Sequence, residues 1–320
     1  MRAVLSAVLL LAGLSPCRSA DIVTIATPSP VTAVAQTAQG VFVTTRGGSF
    51  RLDACAGEKP FCLLSSPVPD EPPAAPEGAL PDGRVAEDPS GDIRRAWYAD
   101  PTDRYGHGVL GDRIEGGSLA VIDADGNPHL FRLPRTHVFE DITPRIADLD
   151  GDGRNEVVTI RSGLASGAAI ALYGLRDGQL VQLAETPAIG RPNRWLNIAA
   201  ILPGEGRDRI VYAVRTPHIA GTLFSVAWDG RGLAMKTEIA TDVSNHVIGS
   251  REQGLAWGGV VEKEHPAILV LPSQDRRKLR FAFSSHADIR LPGAIDKAIV
   301  EKDGWLVTAT ENGRLLVIRR

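Results

Sequence analysis

Short apolar runs rich in Val, Ile and Leu recur along this chain, punctuated by Gly, Asp-Gly and Asn-Gly, and no sustained helical period follows residue 20. The pattern predicts an all-β protein. Three hairpins superimpose: residues 117–122 before Asp125-Gly126, 167–172 before Asp177-Gly178, and 221–226 before Asp229-Gly230. Between them runs a second series, 142–160, 196–214 and 255–271. In it an apolar strand passes through a polar loop into a β-branched strand such as Val157-Val158-Thr159-Ile160. Each repeat of roughly 50 residues therefore holds four short strands, a unit that cannot cover its own faces and stacks with copies of itself around an axis. The expected fold is a β-propeller of about six or seven four-stranded blades.

Weaker hairpins at 41–52, turning at Gly47-Gly48, and at 305–318, turning at Asn312-Gly313, belong to the same series. The last unit shows only three strands, and residues 22–26 are expected to supply its fourth and close the ring. Residues 67–82, rich in Pro, Ala and Glu, are expected to form a solvated loop inserted in a single propeller domain over 21–320.

Met1-Arg2 and the apolar stretch 3–14 have the make-up of a signal peptide, and the stretch is short for a membrane span. Residues 1–20 are expected to be removed on export, with Ser19 or Ala20 as the small residue before the cut. Leu14-Ser15-Pro16-Cys17 resembles a lipobox, with Pro16 where Gly or Ala is usual. Once Cys17 has left with the signal, Cys55 and Cys62 are close in sequence in an exported chain, and a local disulfide is the natural pairing. The expected location is periplasmic or secreted. A formal charge of −3 over 320 residues argues against nucleic acid as a partner, and no internal apolar run approaches a membrane span. The chain is expected to be a monomer.

One loop carries metal chemistry. Asp148, Asp150, Asp152 and Glu156 stand at the first, third, fifth and ninth positions of a Gly-containing curl. Alternate residues of such a curl can turn carboxylates inward to build the oxygen cage that calcium prefers. Asp carboxylates at alternate positions repel one another unless a cation neutralises them. An EF-hand would need Glu at the twelfth position, which is Thr159. The pattern D-x-D-x-D-G-x-x-E, followed by a β-branched strand in a four-stranded repeat, resembles the FG-GAP/VCBS repeats of integrin α-type propellers. That resemblance implies Asp148, Asp150, Asp152, the carbonyl of Arg154 and Glu156 as calcium ligands bracing the blade. The next repeat keeps the turn, but Pro203 and Arg209 replace two carboxylates, and 261–266 has lost the pattern.

In an up-and-down blade, the loop joining strands one and two lies on one face of the disc. The lead-in to strand one and the loop joining strands two and three share the other. That second face gathers His107, Asp141, Arg161, Arg194, Arg215, His218, His246 and Arg251 as candidate ligand-binding residues. Arg donors suit carboxylate, phosphate or sugar acceptors, and Trp195 is placed to stack on a sugar ring. The competing expectation is that Arg161, Arg194, Arg215 and Arg251 pair with Glu140, Asp141, Glu252 and Asp275 as ties between blades. Trp97, Trp228, Trp257 and Trp305 read as blade packing.

No nucleophile elbow, phosphate loop or dinucleotide fingerprint occurs. The expected function is an exported calcium-binding propeller that serves as a binding or scaffold module for a protein or saccharide. The alternative is a periplasmic hydrolase or lyase on the Arg/His/Asp face, with Asp112, Glu115 and Asp141 as candidate acid/base groups.

Overall fold

A computed structural model describes residues 22–55, 59–67, 76–260, 267–284 and 286–319. The expected signal segment with Cys17, and the degenerate repeat at 261–266, lie outside the described residues.

Strand β1 (Ile22–Ile25) stands apart from a meander of β2 (Val31–Thr37), β3 (Gly40–Thr45), β4 (Gly48–Ala54) and β5 (Phe61–Ser65). The second meander is β6 (Ala86–Glu87), β7 (Ile93–Thr102), β8 (Glu115–Asp123) and β9 (Pro128–Arg132). After a linking strand β10 (His137–Phe139), the third is β11 (Arg145–Ala147), β12 (Glu156–Gly163), β13 (Gly167–Arg176) and β14 (Gln179–Glu185). The fourth is β15 (Leu196–Pro203), β16 (Arg209–Arg215), β17 (Thr222–Trp228) and β18 (Leu233–Thr241). The fifth is β19 (Trp257–Gly259), β20 (Ile268–Pro272), β21 (Lys278–Ala282) and β22 (Ile289–Arg290). Strands β23 (Val300–Lys302), β24 (Trp305–Ala309) and β25 (Leu315–Arg319) end the chain. Every ladder between these strands is antiparallel.

Four of the resulting sheets have four strands, and one has nine because β10 bridges β8 and β12 and so joins the second meander to the third. The sixth meander is completed from the other end of the chain: β1 pairs with β25, from Ile22 opposite Ile318 to Ile25 opposite Leu315. That is the closure expected of residues 22–26.

Local chemistry explains the meanders. At Asp177-Gly178 and Asp303-Gly304 both residues have positive φ, 51° and 73° in the first pair and 50° and 82° in the second. Such two-residue turns have the twist that returns a strand antiparallel to itself, and Asp-Gly tolerates them best. Strands β8, β12, β13 and β20 are buried along nearly their whole length. They are covered on both faces, so strict alternation gives way to runs such as Val157-Val158 and Ala168 to Leu172, and the polar residues among them, such as Glu115, Ser118 and Thr159, are buried too.

The covering comes from neighbouring meanders. Tyr98 and Leu119 of the second pack with Val157 and Tyr173 of the third. Val158 and Ile170 of the third meet Val211 and Val226 of the fourth, and Val214 and Leu223 of the fourth meet Leu269 of the fifth. Val270 and Leu279 of the fifth meet Leu306 and Leu316, and Val307 and Leu315 meet Val43 and Leu52 of the first. Each fully buried aliphatic side chain of this kind stabilises by roughly 1.5–3 kcal/mol. The stack of sheet on sheet, each meander packing on the next, is an all-β propeller.

The disulfide Cys55–Cys62 closes the β4–β5 hairpin, where Asp53 lies opposite Cys62. Two expectations need correction. The inserted loop is not solvated throughout: Ala79 bridges to Ala99, and Leu80 is 3% exposed in the core shared by the second and third meanders. The segment carrying His107 is not a lead-in to a first strand but the loop between β7 and β8. The parity of the strands nevertheless leaves it on the same side of the disc.

Candidate functional site

The acidic curl joins β11 to β12. Its shape is held by its own side chains: Asp148 Oδ1 accepts from Gly151 N at 2.8 Å and Asp148 Oδ2 from Gly153 N at 3.0 Å. Asp150 Oδ1 accepts from Asp152 N at 3.2 Å. Oxygens of Asp148, Asp150 and Glu156 all lie within 4.8 Å of one another. The Asp152 carboxylate is outside that group and exposed; its Oδ1 accepts from Arg154 N at 2.8 Å, and the Arg154 side chain reaches out to Asp92. Glu156 Oε2 accepts from Leu149 N at 3.0 Å, while Oε1 is buried with no hydrogen-bond partner. Burial pushes the Glu156 carboxyl up to about 7, helped by Asp150 and Asp152. Burial likewise raises Asp150, with Asp152 and Asp148 adding to the effect. The curl leans on the fourth meander: the Leu149 carbonyl accepts from Arg209 N, and Asp150 Oδ2 lies so near the Gly230 turn that a Cβ there would be 2.7 Å away. This donor set fits a hard divalent cation: three carboxylates, one of them buried with an oxygen left empty-handed.

On the opposite side, the structure brings together three of the predicted ligand residues. His107 Nδ1 lies 2.5 Å from Glu140 Oε1, and Ser162 Oγ donates to Glu140 Oε2. Trp195 Nε1 donates to the Glu140 carbonyl at 2.9 Å. His246 Nε2 donates to the Ser250 carbonyl at 2.8 Å, so its Nδ1 must accept from His218 Nε2, also at 2.8 Å. Burial lowers both imidazoles, His218 to about 4 and His246 to about 3, with His107 and His218 respectively as the next causes. Trp195 is 2% exposed and lies parallel to the His218 ring, 6.0 Å between centroids. It is therefore covered by a histidine and has no face left for a sugar, which corrects the stacking role expected of it.

The remaining predicted residues are committed elsewhere. Asp141 accepts from Tyr98 Oη and Gln253 Nε2, each at 2.9 Å, and pairs with Arg145. Arg161 pairs with Glu185 at 2.5 Å within its own meander. Arg194 caps the carbonyl of Asn193, and Arg215 reaches the carbonyl of Ile189 in the preceding meander. Arg251 bridges Asp82 and Asp112, both at 2.7 Å. Arginine ties do occur, but with partners other than Glu140, Asp141, Glu252 and Asp275, since those acids are taken by His107, by Arg145, by the Gly254 amide and by Ser273.

The proposed acid/base groups fare similarly. Glu115 stands beside Glu140 across the β8–β10 pairing, where Gly116 is opposite Phe139. Burial, then Glu140, pushes the Glu115 carboxyl up to about 10, so at neutral pH it is an uncharged acid at 2% exposure. Both Glu140 oxygens are occupied. This is an internal polar cluster, closed to substrate in this conformation.

Sequence reasoning missed a cavity at which several meanders meet. It measures about 340 Å³ and is lined by Arg145 on β11, Ile198 to Ile201 on β15, residues 251–254 leading to β19, and Arg84 leading to β6. Segments of four meanders meet there. No local pattern marks them, because their proximity is set by the closing of the ring. A second cleft of about 400 Å³, between the third and fourth meanders, has Leu196, Phe224 and Met235 as its floor and Arg215 at its edge.

No family model matches the chain, and no curated protein matches it. Among solved structures, that of BamB from Moraxella catarrhalis is similar over 93% of this chain and 100% of that one, at 12% identity and a TM-score of 0.30. Likeness that slight supports no statement about site or activity. Among the described residues, no helix is long and apolar enough to cross a membrane.

Proposed function

We propose that the chain is an exported, calcium-braced β-propeller of the FG-GAP/VCBS type, serving as a binding or scaffold module. The observation that carries the calcium is Glu156 Oε1: a buried carboxylate oxygen without a donor, within 4.8 Å of oxygens from Asp148 and Asp150. Leaving such a group unsatisfied costs about 1–3 kcal/mol or more if it is charged, and a divalent ion removes that cost together with the repulsion among the acids. Asp148, Asp150 and Glu156 would hold the ion, with Asp152 and the Arg154 carbonyl joining as the family resemblance implies. Bound there, calcium supplies positive charge and fixes the curl against the Arg209 and Gly230 turns of the next meander.

The scaffold half of the proposal rests on what the polar face lacks. Glu140 is paired with His107 and His218 with His246, and Arg215 and Arg251 tie separate segments together, which is the arrangement of a rigid support. Export is supported by the character of residues 1–20 and by the disulfide.

The test is thermal melting with calcium and with EDTA. Calcium is expected to raise the melting temperature, and Asp150→Ala to remove the difference. Identical melting of the wild type under the two conditions would overturn the calcium assignment.

A further inference from the structure

We propose that the cavity lined by Arg84 and Arg145 binds a small oxyanion, a carboxylate or phosphate, through the guanidinium groups of these two residues. The proposal rests on the propeller being a binding module, but not on its calcium.

Arg145 is an oriented cation. Its Nη1 is bonded to Asp141, and Asp141 is itself buried and held by Tyr98 Oη, Gln253 Nε2 and the Ile142 amide. That arrangement spends one guanidinium nitrogen and leaves Nε and Nη2 without an acceptor among the described residues. Arg84 has no side-chain hydrogen bond or ion pair among the described residues; the charge of Glu252 acts with it. Its backbone is anchored, since Arg84 N donates to the Ile142 carbonyl at 3.1 Å. Thr143 also lines the cavity.

The donor count decides the ligand class. Arg251, the third guanidinium of the wall, has Nε and Nη2 committed to Asp82 and Asp112. Glu252, the one carboxylate of the wall, has Oε1 taken by the Gly254 amide at 2.7 Å. Beside the second oxygen of Glu252, what remains uncommitted on these side chains is donor: the fork of Arg84, two nitrogens of Arg145 and the Thr143 hydroxyl. Such forks match the paired oxygens of carboxylate and phosphate, and they have no acceptor to offer a cation. The apolar side, Ile142 with Ile198 and Ile201, suits a short carbon chain behind the charged group. A space of about 340 Å³ sits at the lower end of small-ligand sites.

The experiment is isothermal titration calorimetry on the full chain at low ionic strength, with inorganic phosphate and succinate as separate probes. Binding of at least one is expected; the stronger tells whether the site prefers the tetrahedral or the planar anion. Arg84→Ala, an exposed change that leaves the buried Asp141 network intact, is expected to weaken binding at least tenfold with an unchanged melting temperature. Thr143→Val serves as the second variant, with a smaller loss expected. Failure of the wild type to bind either anion overturns the proposal, as does Arg84→Ala binding like the wild type. The calcium melting shift is measured on the same preparation. A retained shift without anion binding rejects this site alone, and anion binding without a shift rejects the calcium alone.

Discussion

Asn197 and Asn245 hold each other's backbone. Asn197 Nδ2 donates to the Asn245 carbonyl at 3.1 Å, and Asn245 Nδ2 donates to the Asn197 carbonyl at 3.2 Å. Both residues are wholly buried, and the pair sews β15 of the fourth meander to the lead-in of the fifth. No strand ladder joins β15 to that lead-in among the described residues, so these side chains supply hydrogen bonds between the two segments.

Replacing either asparagine therefore removes a buried hydrogen bond across this junction. Asn245→Ala is expected to lower stability by about 1–3 kcal/mol, and Asn197→Ala by a similar amount. The double variant should cost less than the sum, because the two residues serve one junction. Urea titration of the three proteins checks this, and strict additivity would separate the two residues.

Removal of residues 22–27 would leave β25 without its outer neighbour and uncover Leu315 and Val317, which are fully buried with Ile25 in the same core. A clear drop in melting temperature is expected, together with a tendency to associate through the freed edge. Light scattering during the melt distinguishes association from simple destabilisation.

The histidine pair should make the fold sensitive to acid. Both imidazoles are lowered in the native state, to about 4 and about 3, against 6.5 for the free group. Between pH 6.5 and about 4 the unfolded chain binds more protons than the native one, so their contribution to stability is present above that window and is lost as pH falls through it. His246→Gln is expected to flatten the fall in stability between pH 7 and pH 5, measured by denaturant titration at each pH.

Glu156 has the opposite sign. Its carboxyl is raised from 4.5 to about 7 without metal, so the native state binds the extra proton. That contribution is full below pH 4.5 and is lost as pH rises through about 7. In EDTA, Glu156→Gln is therefore expected to gain stability relative to wild type at pH 8 and to gain little at pH 5. With calcium present the order at pH 8 should reverse, since the amide offers the ion no charge. Melting curves under the four conditions read the crossover directly.

Much of the architecture was legible along the chain. Strand type followed from β-branched runs, hairpin positions from Asp-Gly pairs, and the closing role of residues 22–26 from a last unit one strand short. The acidic curl was legible because its would-be ligands lie within nine residues of one another. The polar face was legible only as a set of loops on one side. Its pairings were not, and Trp195 was misplaced because nothing local to it announces that His218 and His246 will cover it.

What the sequence determined by itself is whatever a few neighbouring residues decide: strand, turn and the spacing of carboxylates in one loop. Tertiary structure alone decided which arginines are tied, that Glu115 lies beside Glu140, and that Arg84 and Arg145 line one cavity. Those contacts join residues tens of positions apart. Their geometry depends on the summed twist and packing of every sheet between them, a quantity that no short window of sequence contains.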